Sequence, residues 1–156
     1  MAPERVADYP RPPRLEPCRD QVLVRACGET LFEGRGCMRV LETFHPPTYY
    51  LPPEGMNLQL LQPAQGRSFC EWKGVAEYFD VVVGTRRLER AVWRYPSPTA
   101  RFAPIAGWYA LYPRQMDGCW VNGEAVIPQP GNFYGGWITS AVEGPFKGDP
   151  AHPELI

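Results

Sequence analysis

The sequence predicts a small, mainly β domain of antiparallel sheets, a small barrel or sandwich with one or two short helical turns. Three observations predict it. The 19 prolines and 15 glycines are spread almost evenly over 156 residues, and the longest run free of both is 85–95, only 11 residues. A mean globular helix is already ~11–12 residues, and an internal proline removes a hydrogen bond and clashes with the preceding turn, so no full-length helix fits. Two dipeptides, Cys27-Gly28 and Asn122-Gly123, stand between short runs of strand-forming residues. Asn-Gly is the stronger sign, because both residues tolerate the positive φ of a two-residue hairpin turn. Hydrophobics at 44% and aromatics at 13% supply the apolar surface for one packed core.

The elements follow from that punctuation. Residues 21–26 and 29–33 read as one hairpin, and 120–121 with 124–126 as another. Further strands are expected at 38–42, 58–61, 68–72, 75–83, 87–95 and 108–112. One helical turn fits within 98–106, and Pro52-Pro53-Glu54 begins another, since proline is tolerated in a first turn. Residues 1–17 are proline-rich and read as an extended arm lying on a single domain at 18–143, with a proline- and glycine-rich tail at 144–156.

Composition narrows the function classes. A formal net charge of −1 gives no long-range attraction to nucleic acid or an anionic membrane. The one basic cluster, Arg86-Arg87-Leu88-Glu89-Arg90, reads as a hairpin turn and a charge-protected edge strand. No apolar stretch approaches the ~20 residues that span a bilayer, and Met1-Ala2-Pro3-Glu4-Arg5 lacks the apolar core of a signal peptide. A cytoplasmic protein with no nucleic-acid or membrane partner is expected; a homodimer stays open. The cysteines at 18, 27, 37, 70 and 119 are odd in number and lack metal or redox spacing, so they read as small buried hydrophobes. Cys70, beside Glu71, is the candidate thiol nucleophile.

Candidate chemistry concentrates in two segments. Residues 40–54 place Glu42, His45, Tyr49 and Tyr50 beside the pairs Pro46-Pro47 and Pro52-Pro53. A chain stiffened by proline gives up little entropy in holding side chains in a fixed array. His45 with Glu42 could act as an acid–base pair, or His45 could simply cap a turn. In the second segment, Lys73-Gly74 read as a two-residue turn sets Glu71 opposite Ala76 and Phe69 opposite Tyr78. Those four then share one sheet face, with space beside the Glu71 carboxylate over the small Ala76.

The segments Tyr9-Pro10-Arg11-Pro12-Pro13-Arg14-Leu15-Glu16-Pro17, 40–54, 70–78, Ala91-Val92-Trp93-Arg94-Tyr95-Pro96, Ile105-Ala106-Gly107 before Tyr112-Pro113, and Phe133-Tyr134-Gly135-Gly136-Trp137-Ile138-Thr139 occur in one order. In this the chain resembles domain-of-unknown-function family 427, small and mostly bacterial proteins. The resemblance implies one β-rich domain similar to β-tent folds, and it carries a nucleotidyltransferase-like label. That label fits the residues poorly. Nucleotidyl transfer needs clustered carboxylates for Mg²⁺, and the chain has no Asp-x-Asp or Asp-x-Glu. With two histidines in all, no metal and no cofactor is expected.

Aromatic content points to binding. In β-tent relatives an aromatic box takes small planar or cationic ligands, so Trp72, Trp93 and Trp137 are expected nearest a pocket. The sequence therefore leads to a small-molecule-binding domain. Glu42, His45, Glu71 and Lys73 would supply polar contacts, Tyr49 and Tyr78 hydroxyls, and the tryptophans a stacking wall. An enzyme using His45 with Glu42 or Glu71, and a protein-interaction module, are the alternatives.

Overall fold

The computed structural model describes residues 2–155. Its strands in chain order are β1 (Glu4–Arg5), β2 (Arg14–Pro17), β3 (Val22–Ala26), β4 (Glu29–Gly34), β5 (Met38–Leu41), β6 (Thr48–Tyr50), β7 (Leu61–Cys70) and β8 (Gly74–Val83). They continue with β9 (Arg86–Arg94), β10 (Tyr109–Leu111), β11 (Gly118–Val121), β12 (Glu124–Ala125), β13 (Ile127–Pro128), β14 (Trp137–Ile138) and β15 (Val142–Glu143). Every helical segment among the described residues is a short 3-10 turn, the longest being Ala100–Ile105. Strands hold 45% of the chain against 12% in helical turns, so the class is mainly β. The sheets stay open, and none closes into a barrel.

Three sheets carry the architecture. The orders are β10-β9-β8-β7, β12-β11-β3-β4 and β2-β5-β6, every neighbouring pair antiparallel. Both expected hairpins form where the dipeptides put them. Cys27 and Gly28 take φ of 52° and 81°, and Asn122 and Gly123 take 49° and 80°, the paired positive values of the turn type that matches strand twist. Asn122 also accepts from the Gln21 amide at 2.9 Å and donates to Asp20 at 2.9 Å, which ties the last hairpin to the start of β3.

Two elements differ from expectation. Residues 58–60 form a 3-10 turn, so β7 starts at Leu61 and runs ten residues. The proline-dense run does not stay a loop throughout: Thr48–Tyr50 pairs with β5, and Leu51 exchanges backbone hydrogen bonds with Tyr109 at 2.7 and 3.0 Å. Proline is excluded only from ladder positions that must donate, and three proline-free residues between Pro47 and Leu51 suffice for a short strand. That bridge joins the β2-β5-β6 sheet to β10 of the long sheet.

The core is divided. The largest cluster lies where β3, β4, β8, β9 and β11 converge, with Val22, Val24, Leu31, Phe32, Val81 and Val92 among its members. A second gathers Tyr50, Ala76, Tyr95, Phe102, Ile105 and Ala110 at the tip of the long hairpin. Strand β8 serves both, since alternate residues face opposite ways: Ala76 turns one way into the second cluster, Phe79 and Val81 the other way into the first. Its Tyr78, on the Ala76 face, lies directly opposite Trp93 of β9.

Asn122 provides a test of the hairpin reading. Replacing it with glycine removes its side-chain hydrogen bonds but keeps the positive φ, whereas alanine loses both. We expect Asn122→Ala to be less stable than Asn122→Gly by ~1 kcal/mol, the cost of a left-handed non-glycine residue. Paired urea titrations measure it, and equal stabilities would contradict the account.

Candidate functional site

A cavity of about 220 Å³ opens between the β2-β5-β6 sheet and the tip of the long hairpin. Its lining comes from five stretches of chain. Val40 comes from β5 and Glu42 directly follows it, His45 sits in the turn after it, and Thr48 and Tyr50 come from β6. Lys73 and Tyr78 come from the long hairpin, and Trp93 and Tyr95 from β9 and its end. Tyr112, Gln129, Phe133, Tyr134 and Gly135 close it from the C-terminal half.

His45 is positioned by a turn and by one buried side chain. Its amide donates to the Glu42 carbonyl at 2.9 Å, with Phe44 at φ 65° making the reversal. Its Nδ1 lies 3.1 Å from Nε2 of Gln129, which is 2% exposed. The Gln129 amide has no freedom to flip. Its Oε1 accepts from the Gly136 N–H at 3.1 Å, and its Nε2 donates to the Lys147 carbonyl at 2.9 Å. A backbone N–H can only donate and a carbonyl can only accept, so both ends of the amide are assigned by partners of fixed role. Nδ1 of His45 is therefore an acceptor, and the neutral ring carries its proton on Nε2. Among the described residues Nε2 has no hydrogen-bond partner, so it is the polar group this ring has left to offer the cavity.

The same surroundings keep the ring neutral. Burial holds His45 below the ordinary histidine value; the Glu42 carboxylate pulls upward, and the Lys147 and Arg11 charges add to the depression. A donor aimed at Nδ1 serves the neutral ring, because an imidazolium would bring two N–H groups head to head. Glu42 itself lies 3.7 Å from the Arg11 guanidinium.

Aromatic walls complete the cavity. The Trp93 indole N–H donates to the Tyr50 hydroxyl at 3.3 Å, and its ring packs on Tyr112 with centroids 4.7 Å apart. Gly135 lets that ring lie against backbone, since a Cβ there would come within 2.5 Å of it. Tyr134 meets His45 edge-on at 5.3 Å. Burial raises the Tyr50 and Tyr95 phenols well above the usual range, so both stay protonated.

The structure brings together Glu42, His45, Lys73, Tyr78 and Trp93 of the sequence-derived candidates, and separates the others from them. Tyr49 faces the opposite side of β6, where it stacks on Trp137 with centroids 4.6 Å apart in the main core. Strand alternation decides this: with Thr48 lining the cavity, Tyr50 shares its face and Tyr49 cannot. Trp137 is 1% exposed and is a core residue. Glu71 and Trp72 do not line the cavity, because the hairpin register differs from the two-residue turn. Cys70 pairs with Gly74 and Phe69 with Val75, so Glu71, Trp72 and Lys73 form a three-residue loop, and Gly74 at φ 109° re-enters the strand. Glu71 is thereby exposed, and Phe69 is 75% exposed rather than opposite Tyr78. The loop is pinned from outside: Thr99 donates through Oγ1 to the Trp72 carbonyl at 2.6 Å and through its amide to the Lys73 carbonyl at 3.2 Å. Lys73 is held over Tyr95 and Phe102, its Nζ 5.8 and 5.7 Å from their ring centroids.

Tyr95, Tyr112, Gln129 and Tyr134 were missed in the sequence, and Tyr50, noted within its segment, was given no role there. Gln129 had one available signal, an uncharged polar residue pinched between Pro128 and Pro130. Cys70 is half-buried, and the other four cysteines are buried and unpaired, with burial pushing Cys37 and Cys119 up to about 12. Among the described residues no three His, Cys, Asp or Glu side chains cluster to hold a metal ion, and no helix is long and apolar enough to cross a membrane.

Residues 14–122, well over half of the chain, match the family described as a domain of unknown function, DUF427. The chain belongs to this family. No curated protein matches it. The matched span contributes Glu42, His45, Thr48, Tyr50, Lys73, Tyr78, Trp93, Tyr95 and Tyr112 to the cavity, while Gln129 and the 133–135 loop of this DUF427 protein come from beyond it.

Two predictions follow from the His45 surroundings. A histidine whose folded-state pKa lies below its unfolded value of ~6.5 contributes stability that is complete above that value. The contribution is lost as pH falls through it toward the folded-state pKa, because only the unfolded chain takes up the proton. Denaturant titrations at pH 7.5 and pH 5.5 should show a smaller loss for His45→Gln than for wild type; equal losses would count against a buried neutral His45. Gly136→Ala should destabilise by ~1–3 kcal/mol, as overpacking does. Its Cβ would lie 2.8 Å from the Pro46 carbonyl oxygen and collide with the Gln129 amide. Wild-type stability would show that this approach is not close in solution.

Proposed function

We propose that this protein binds a small ring-bearing molecule in the cavity between His45, Tyr50, Lys73 and Trp93, and that binding rather than turnover is its role. The observation that carries the reading is the Gln129 clamp on His45. A general base needs a free lone pair facing the substrate, and here the Nδ1 lone pair is engaged while Nε2 is protonated. A general acid near neutrality needs an accessible imidazolium, which burial opposes. What remains is a fixed N–H donor beside aromatic walls, and that is the equipment of a recognition site. An acid–base enzyme built on His45 and Glu42, both of which line the cavity, is the reading this tautomer argues against. Five unpaired cysteines support a cytoplasmic setting.

Two-dimensional NMR with a library of single-ring fragments tests the proposal. Binders should shift the Trp93 indole N–H and the signals of Thr48 and Tyr50, and leave the β3–β4 hairpin unchanged. Thr48→Phe, which fills the cavity from a half-buried strand position, should abolish those shifts while the rest of the spectrum stays folded. Fragments that bind Thr48→Phe as well as wild type would refute the site.

A further inference from the structure

The chain has only two lysines against fourteen arginines; one lines this cavity and the other contacts two residues of its lining. Lys73 lines it. Lys147 places its Nζ 5.9 Å from the Tyr134 ring centroid, and its carbonyl holds Gln129. Seven arginines have a carboxylate within 4.0 Å: Arg5, Arg11, Arg14, Arg39, Arg67, Arg87 and Arg94. Neither lysine has one among the described residues. Lys73 rests instead against the rings of Tyr95 and Phe102, which hold an ammonium in place without neutralising it.

The hydrogen-bonding capacity of the cavity is weighted the same way. Tyr50, 1% exposed, spends its oxygen on the Trp93 N–H, which leaves its own proton to donate. His45 likewise offers an N–H. Among the described residues Glu42 is the only carboxylate of the lining, and Arg11 already faces it at 3.7 Å. The charged surplus is one cation, to which His45 and Tyr50 add two neutral donors, while the hydroxyls of Thr48, Tyr78, Tyr95, Tyr112 and Tyr134 can serve in either role.

We propose that the ligand is a small aromatic carboxylate, its charged end on Lys73 and the His45 and Tyr50 donors, and its ring against Trp93. This rests on the binding reading above and adds the sign of the charge. A phosphate ester fits less well. Dianionic phosphates are held by several backbone N–H groups or by an arginine fork, with lysine adding a point charge, and among the described residues no arginine lines the cavity. A cationic ring fits least, because it would meet an unpaired ammonium.

Four matched probes decide the matter: benzoate, benzamide, benzylamine and phenyl phosphate, titrated by NMR on the Trp93 indole N–H up to about 10 mM, beyond the millimolar range where a few kcal/mol of binding registers. We expect benzoate to bind at least tenfold tighter than the other three. Lys73→Met and Lys73→Gln should each weaken benzoate about tenfold or more, the scale of one charge-assisted hydrogen bond, and should not weaken benzamide. Lys73→Arg should restore part of the loss. Lys73 lies in a hairpin loop, so these variants are expected to fold, and their amide spectra check it.

A preference for benzamide or benzylamine would overturn the anion assignment and leave the cavity reading standing. Tighter binding of phenyl phosphate would overturn the choice of carboxylate. Benzoate affinity unchanged in both the Met and Gln variants would remove Lys73 from the site and overturn the proposal. Silence from all four probes would overturn both readings together.

Discussion

One buried side chain organises the functional end of this molecule. The Gln129 carboxamide reaches the Gly136 N–H, the Lys147 carbonyl and the His45 ring, so a single amide links the turn after β5, the entry to β14 and the C-terminal segment. An amide buried without partners costs several kcal/mol in an apolar setting, so each of these bonds constrains the others. The backbone cooperates: Gly136 is a glycine because Pro46 and Gln129 occupy the space of a Cβ. Through this junction the proline-stiffened run 40–54 is fixed against the C-terminal third of the chain, and the Trp137 amide adds a bond to the Pro47 carbonyl at 2.8 Å.

A second constraint acts from the opposite side. Lys73 reaches the cavity because the long hairpin turns in three residues and not two, and because Thr99 ties that loop to the 3-10 turn at Ala100–Ile105. The loop that exposes Glu71 is the same loop that brings in Lys73. Within β6, one residue of alternation separates Tyr50, in the cavity, from Tyr49, stacked in the core. Small differences of register thus decide which of several similar side chains becomes functional.

Legibility in the sequence followed the range of the interaction. The hairpins at Cys27-Gly28 and Asn122-Gly123 were readable because a two-residue turn has a local steric requirement, and both took the required φ values. The mainly β class was readable because proline and glycine interrupt every stretch a helix would need. His45, Glu42, Lys73, Tyr78 and Trp93 were readable as candidates by their chemistry. Glu71 and Tyr49 were misplaced because the register depended on Gly74 and on strand alternation, which residue type alone does not reveal. Gln129 offered only its place between two prolines, since its three partners are 7, 18 and 84 positions away. The two lysines were legible as a count, but their shared location was not.

The central claim is that Gln129 fixes His45 as a neutral ring protonated on Nε2, which makes it a donor for recognition rather than a proton shuttle. The ring nitrogen chemical shifts of His45 in uniformly ¹⁵N-labelled protein at neutral pH test it most directly, because the two neutral tautomers and the imidazolium give distinct patterns. The account predicts an unprotonated Nδ1 and a protonated Nε2. A proton on Nδ1, or an imidazolium at neutral pH, would contradict it.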